Sequence, residues 1–109
     1  ADVAEHPPDE FLAACVQFDV RPGDVAANSA AMRAGVEEAV SAGARLCVLP
    51  ELWSTSFLST FEEATVAEAE QAEAELSELS RQHDLVIVGS TIEVAGDQVF
   101  NTAHVHERG

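Results

Sequence analysis

Three short runs that are apolar at nearly every position, FLAACVQFDV (11–20), RLCVLP (45–50) and LVIVGST (85–91), constrain this chain more than any other feature. A strand with one face in water alternates apolar and polar residues, whereas unbroken apolarity marks a strand covered on both faces, as in a parallel sheet. The text between the runs agrees. Asp24 is a good N-cap for a helix over 25–42, where Met32, Val36 and Val40 recur every four residues and Gly43 supplies the stop. A second helix is predicted over 61–82, with Val66, Ala69, Ala72, Leu76 and Leu79 at helical spacing. Beyond it, IEV and VFNTAHVHE flank Ala95, Gly96 and Asp97 and read as the two arms of an antiparallel hairpin.

The predicted order is therefore β-α-β-α-β-β-β, an α/β layer fold whose first strands lie parallel through right-handed crossovers. With 109 residues there is room for one domain and no second. Both helices are used to cover one face of the sheet. Nothing in the sequence supplies cover for the other, so the fold is expected to be incomplete as written or to be completed by another chain.

Charge narrows the function classes. Asp and Glu number 20 against five basic residues, all of them arginine, for a net charge of −15. A phosphate backbone or an anionic membrane surface is repelled by such a chain, which excludes nucleic acid and membrane as partners. No apolar run approaches the roughly 20 residues of a membrane-spanning helix. Much of the acidity belongs to one helix surface, Glu62, Glu63, Glu68, Glu70, Glu73, Glu75 and Glu78. Residues 1–10, ADVAEHPPDE, have no apolar periodicity and read as a loose arm ahead of a domain over 11–109. They also lack a basic-then-apolar leader, which makes the cytoplasm the expected location. Cys15 and Cys47 each sit inside an apolar run and are expected to be buried structural thiols of a reducing compartment.

The residue with most chemical content is Glu51, directly after Pro50 at the carboxyl end of the second strand. Ligands of open α/β sheets bind at that end, because the loops leaving parallel strands converge there. With Leu52, Trp53 and Phe57 close by, an apolar setting would disfavour the charged carboxylate and suit a general base. Trp53 and Phe57 are candidates to line a pocket beside it, or else to fill the core. Sequence pattern equally allows Glu51 to cap the following turn or to pair with an arginine. His104 and His106, two apart on a strand, share a face and could chelate a metal, but partners for full coordination lie far off in sequence; a half-exposed hairpin arm is the better reading. Ser90 lacks the glycine pattern of a nucleophile elbow.

Taken together, FLAACVQFDV, GDVAANSAAMRAGVEEAVSAGARLCVLPELWSTSF and HDLVIVGSTIEVAGDQVFNTAHV resemble the N-terminal third to half of the nitrilase superfamily, the carbon-nitrogen hydrolases. The most specific elements are LPEL (49–52), the helix-closing Gly43-Ala44 and Asn101-Thr102-Ala103 in a late strand. The resemblance implies part of an α-β-β-α sandwich, commonly dimerised. It implies hydrolysis of a small-molecule amide, nitrile or carbamoyl substrate through a cysteine thioester, with no metal or organic cofactor. The family's Glu falls on Glu51, the general base on the thiol. Its Lys and its nucleophilic Cys fall beyond Gly109, so the chain alone is expected to be inactive. Cys47 is no substitute, since strand positions four residues apart are separated by about 13 Å. The alternative expectation is a non-catalytic truncated homologue or partner subunit that completes or regulates another chain.

Overall fold

The structure, a computed structural model, describes residues 10–109; the loose arm predicted for 1–10 lies, Glu10 apart, outside them. Six elements follow one another: β1 (Ala13–Cys15), α1 (Val25–Ser41), β2 (Leu46–Val48), α2 (Glu63–His83), β3 (Val86–Ala95) and β4 (Gln98–Glu107). They form one four-stranded sheet in the order β1-β2-β3-β4, parallel across the first three strands and antiparallel between β3 and β4.

Local chemistry sets the element ends. Asp24 Oδ1 accepts the Ala27 N–H at 3.1 Å and caps α1, and Gly43, at φ +90°, turns the chain out of the helix. In α2 the cap position is Glu62, without a side-chain bond. Phe61 before it and Val66 four residues into the helix pack in one cluster as a hydrophobic staple. Phe61 thus lies outside the helix predicted to include it. Asp84 ends α2 at φ +50°, a conformation that a short polar side chain tolerates.

Two of the expected strands are one. Pairing runs without interruption from Val86↔Glu107 to Ala95↔Gln98, so LVIVGST and IEV join in a ten-residue β3 and the order is β-α-β-α-β-β. Gly96, at φ +64°, makes the hairpin turn. Cross-strand partners on β4 satisfy the backbone through Thr91 and Ile92, and this removes the break that the change in side-chain pattern suggested.

Register separates the two faces. Ala14, Cys47, Ile87 and His106 lie side by side across the four strands, and Cys47 and Ile87 are fully buried beneath Met32, Val36 and Leu76 of the helices. The neighbouring row, Cys15, Val48, Val88 and Val105, lies on the opposite face, where Val48 and Val105 are exposed. Only one face is covered within the described residues, as the helix count implied.

The same geometry corrects the reading of the cysteines. β1 is a three-residue edge strand with one uncovered side, and Cys15 on that side is exposed; Cys47 is the buried one. Burial pushes the Cys47 thiol above its ordinary range. Because the folded state holds that proton more tightly, the contribution to stability is complete below the unfolded-state value and is lost as pH rises through the folded-state value. Iodoacetamide near neutral pH is expected to label Cys15 at once and Cys47 only after unfolding. Equal labelling rates by mass spectrometry would show this placement to be wrong.

One glycine is dictated by packing. A Cβ on Gly35 of α1 would overlap Val16 Cγ1 just beyond β1. Gly35→Ala is therefore expected to destabilise by about 1–2 kcal/mol, because overpacking against a stiff valine exceeds the gain in helix propensity. A raised melting temperature would contradict this.

Candidate functional site

Glu51 leaves β2 through Pro50 at the carboxyl end of the parallel strands, where the sequence placed it. The backbone there is unusual. Leu52, a non-glycine residue, stands at φ +48°, a conformation that costs on the order of 1–3 kcal/mol and persists only when surroundings enforce it. Three contacts enforce it. The Leu52 N–H donates to Ser90 Oγ at 2.8 Å, the Leu52 carbonyl accepts the Ser56 N–H at 2.8 Å, and the Leu52 side chain is buried against Ala69 and Ile92.

The Glu51 side chain is exposed, and its Oε2 accepts a hydrogen bond from Asn101 Nδ2 of β4 at 2.6 Å. The enclosed apolar setting expected for it is therefore absent, since the side of the sheet it borders is uncovered. Neither alternative from the sequence holds: among the described residues no ion pair includes Glu51, and its carboxyl group bonds the Asn101 amide rather than a backbone N–H of the turn. Glu51 borders a depression of about 370 Å³ with Leu49, Val88, Gly89, Ser90, Asn101 and Ala103. A second depression, of about 510 Å³, opens on the other side of Leu49 over Cys15, Val16 and Pro50. Another, over Phe11, Arg45 and Arg108, lies at the opposite end of the parallel strands, away from Glu51.

Trp53 and Phe57 do not line the depression beside Glu51. Trp53 is fully buried in the main core, with its indole edge against Gly89, where an added Cβ would come within 3.1 Å of Cδ1. Phe57 is 68% exposed on the loop beyond. This loop is tied down by Asn28 of α1, a residue absent from the sequence reading. The Asn28 amide donates to the carbonyls of Arg21 and Ser54 and its Oδ1 accepts the Arg21 N–H, each at 2.8 Å. Asn28 stands one turn before Met32 on the every-four stripe of α1, a spacing that marks it as facing inward, but its partners are fixed only when the two loops meet.

The histidines take a structural place. His106 Nε2 pairs with Glu73 Oε2 at 2.8 Å, both side chains 13% exposed, and joins β4 to α2. His104 stacks on His106 with ring centroids 6.1 Å apart. Among the described residues no three His, Cys, Asp or Glu side chains converge as a metal ion requires. No helix of the structure is long and apolar enough to cross a membrane.

Comparison with known proteins supplies context for this arrangement. The family model described as carbon-nitrogen hydrolase matches residues 12–109. The chain is 36% identical over 85 residues to the chloroplastic omega-amidase of Arabidopsis thaliana, covering 72% of this chain and 23% of that protein. It is 28% identical over 101 residues to the 2-oxoglutaramate amidase of Bacillus subtilis (strain 168), covering 91% of this chain and 39% of that one. Among solved structures, a mutant of the amidase from Nesterenkonia sp. AN1 superposes with a TM-score of 0.74 at 22% identity, over 86% of this chain and 37% of its own. That amidase carries the acetamide moiety of fluoroacetamide covalently at its active-site cysteine. The chain thus spans between about a quarter and two fifths of the curated relatives it matches.

Proposed function

Since the chain belongs to the carbon-nitrogen hydrolase family, we propose that it is the N-terminal portion of an amidohydrolase in which Glu51 is the general base. The observation that carries this reading is the position of Glu51: a carboxylate at the carboxyl end of a parallel strand, on a strained and well-held turn, bordering a depression. The chain has no lysine, and its two thiols lie within the strands, so the oxyanion-stabilising lysine and the nucleophilic cysteine come from residues outside this sequence. The Glu51 carboxylate takes the thiol proton, the thiolate attacks the carbonyl carbon, and the carbon-nitrogen bond breaks as the leaving nitrogen receives that proton. Water then attacks the thioester, again giving a proton to Glu51, and frees the acid and the thiol. Phe57, exposed beyond the turn, is the aromatic available to line the substrate site; Trp53 supports the site from the core.

Small primary amides are the substrates to test first, ahead of nitriles and carbamoyl compounds, because both curated relatives bear amidase names. In the assembly that includes the nucleophile, release of ammonia is expected together with an acyl adduct on a cysteine other than Cys15 or Cys47. An adduct confined to Cys15 or Cys47, or turnover with no adduct, would overturn the reading. A second reading is favoured by the uncovered face that carries Cys15, Val48, Val88 and Val105, of which Cys15, Val48 and Val105 are exposed: a non-catalytic homologue or partner subunit docking through that face to complete or regulate another chain. A coding sequence that runs on into a lysine and a cysteine-bearing strand supports the enzyme; one that stops supports the partner.

A further inference from the structure

We propose that Ser90 and Asn101 are positioning residues for Glu51, Ser90 holding the backbone turn and Asn101 the carboxyl group; the inference rests on the reading of Glu51 as general base. An exposed glutamate has three rotatable side-chain bonds, and a base must stay within about half an ångström of its productive place. Burial does not hold Glu51 there, so the two polar contacts do. Asn101 Nδ2 donates to Oε2 at 2.6 Å, a short bond of the charge-assisted kind, and leaves Oε1 free to receive a proton. Ser90 Oγ accepts the Leu52 N–H at 2.8 Å, which fixes the peptide plane joining Glu51 to Leu52 and keeps Leu52 at positive φ.

Both contacts issue from one rigid unit. Ser90 lies directly opposite Ala103 in the β3-β4 register, and Asn101, two residues before Ala103, is its diagonal neighbour on the same face. Ser90, Asn101 and Ala103 border the same depression as Glu51. The hairpin thus extends past the carboxyl end of β2 and grips the glutamate at both backbone and carboxyl group. Neither residue is placed to react: Ser90 has no basic partner among its hydrogen bonds, and the Asn101 amide cannot take up a proton.

The test measures kcat and KM for Asn101→Ala, Ser90→Ala, Ser90→Thr and Glu51→Gln in the assembly that supplies the nucleophile. Asn101→Ala and Ser90→Ala are expected to lower kcat by roughly 10- to 100-fold with KM within about threefold, because misplacing a catalytic group acts on the chemical step. Ser90→Thr, which keeps the hydroxyl, recovers most of the loss. Added to Glu51→Gln, Asn101→Ala costs nothing further, since it acts only through the carboxylate; a merely structural residue would impair both backgrounds alike. If Asn101→Ala leaves kcat within twofold of the parent while Glu51→Gln lowers it by about 10²-fold or more, the positioning role is refuted and the general base stands. If Glu51→Gln itself leaves turnover unchanged, the base assignment is refuted. Should Ser90→Ala not fold, the Asn101→Ala arm, at an exposed position, decides alone.

Discussion

Glu51→Gln is expected to cut turnover by about 10²–10⁴-fold, the usual contribution of a positioned general base, while leaving the fold unchanged. Glutamine has nearly the same shape as glutamate, and its carbonyl oxygen can still accept the Asn101 amide that Oε2 now accepts at 2.6 Å. The side chain is exposed, so no core contact is lost. What the substitution removes is the capacity to take a proton from a thiol, which near neutral pH is mostly protonated and a poor nucleophile until a base assists it. Acylation and thioester hydrolysis both lose their base, and acylation is the step read directly. Mass spectrometry under single-turnover conditions should show the acyl adduct appearing more slowly by the same factor, with unfolding midpoints matched. Activity near that of the parent would remove Glu51 from the mechanism.

Trp53→Ala is expected to produce the largest loss of stability in the chain, about 3–5 kcal/mol. Trp53 is fully buried, and it packs against Gly89, whose missing Cβ leaves the indole its place. Removing a ring of that size leaves a cavity that the rigid β3 backbone cannot close, against a total stability of about 5–15 kcal/mol for an ordinary domain. Phe57→Ala, four residues on but 68% exposed, should stay within about 0.5 kcal/mol of the parent. Denaturant midpoints of the two variants give the comparison; equal midpoints would mean that Trp53 is not the core residue described. Because Trp53 follows the Glu51 turn by two residues, its loss is also expected to loosen the turn itself.

The sequence reading and the structure agree where the determinants are local. Helix α1 begins at the capping Asp24 and stops before Gly43 because both residues act on their own neighbours. The acidic surface of α2 and the placement of Glu51 at a strand exit follow in the same way from spacing along the chain. They part where a property belongs to two segments at once. Cys15 and Cys47 sit in equally apolar text, yet one faces the uncovered side of the sheet and the other the helices, a difference set by register and by which face the helices take. Trp53 and Phe57 look interchangeable as pocket aromatics in the sequence, and only packing against Gly89 separates them.

Periodicity and capping chemistry, which act within a few residues, determined the β-α-β-α-β alternation, the single helical layer and the carboxylate at the end of β2, but not that the third apolar run and IEV form one strand. Tertiary structure alone decided how that carboxylate is held, because Ser90 and Asn101 lie 38 and 50 residues along the chain from their partners at the turn. No local pattern encodes such pairings: they exist only once the β3-β4 ladder has set its register beside β2, and with it the face and the distance at which each side chain stands.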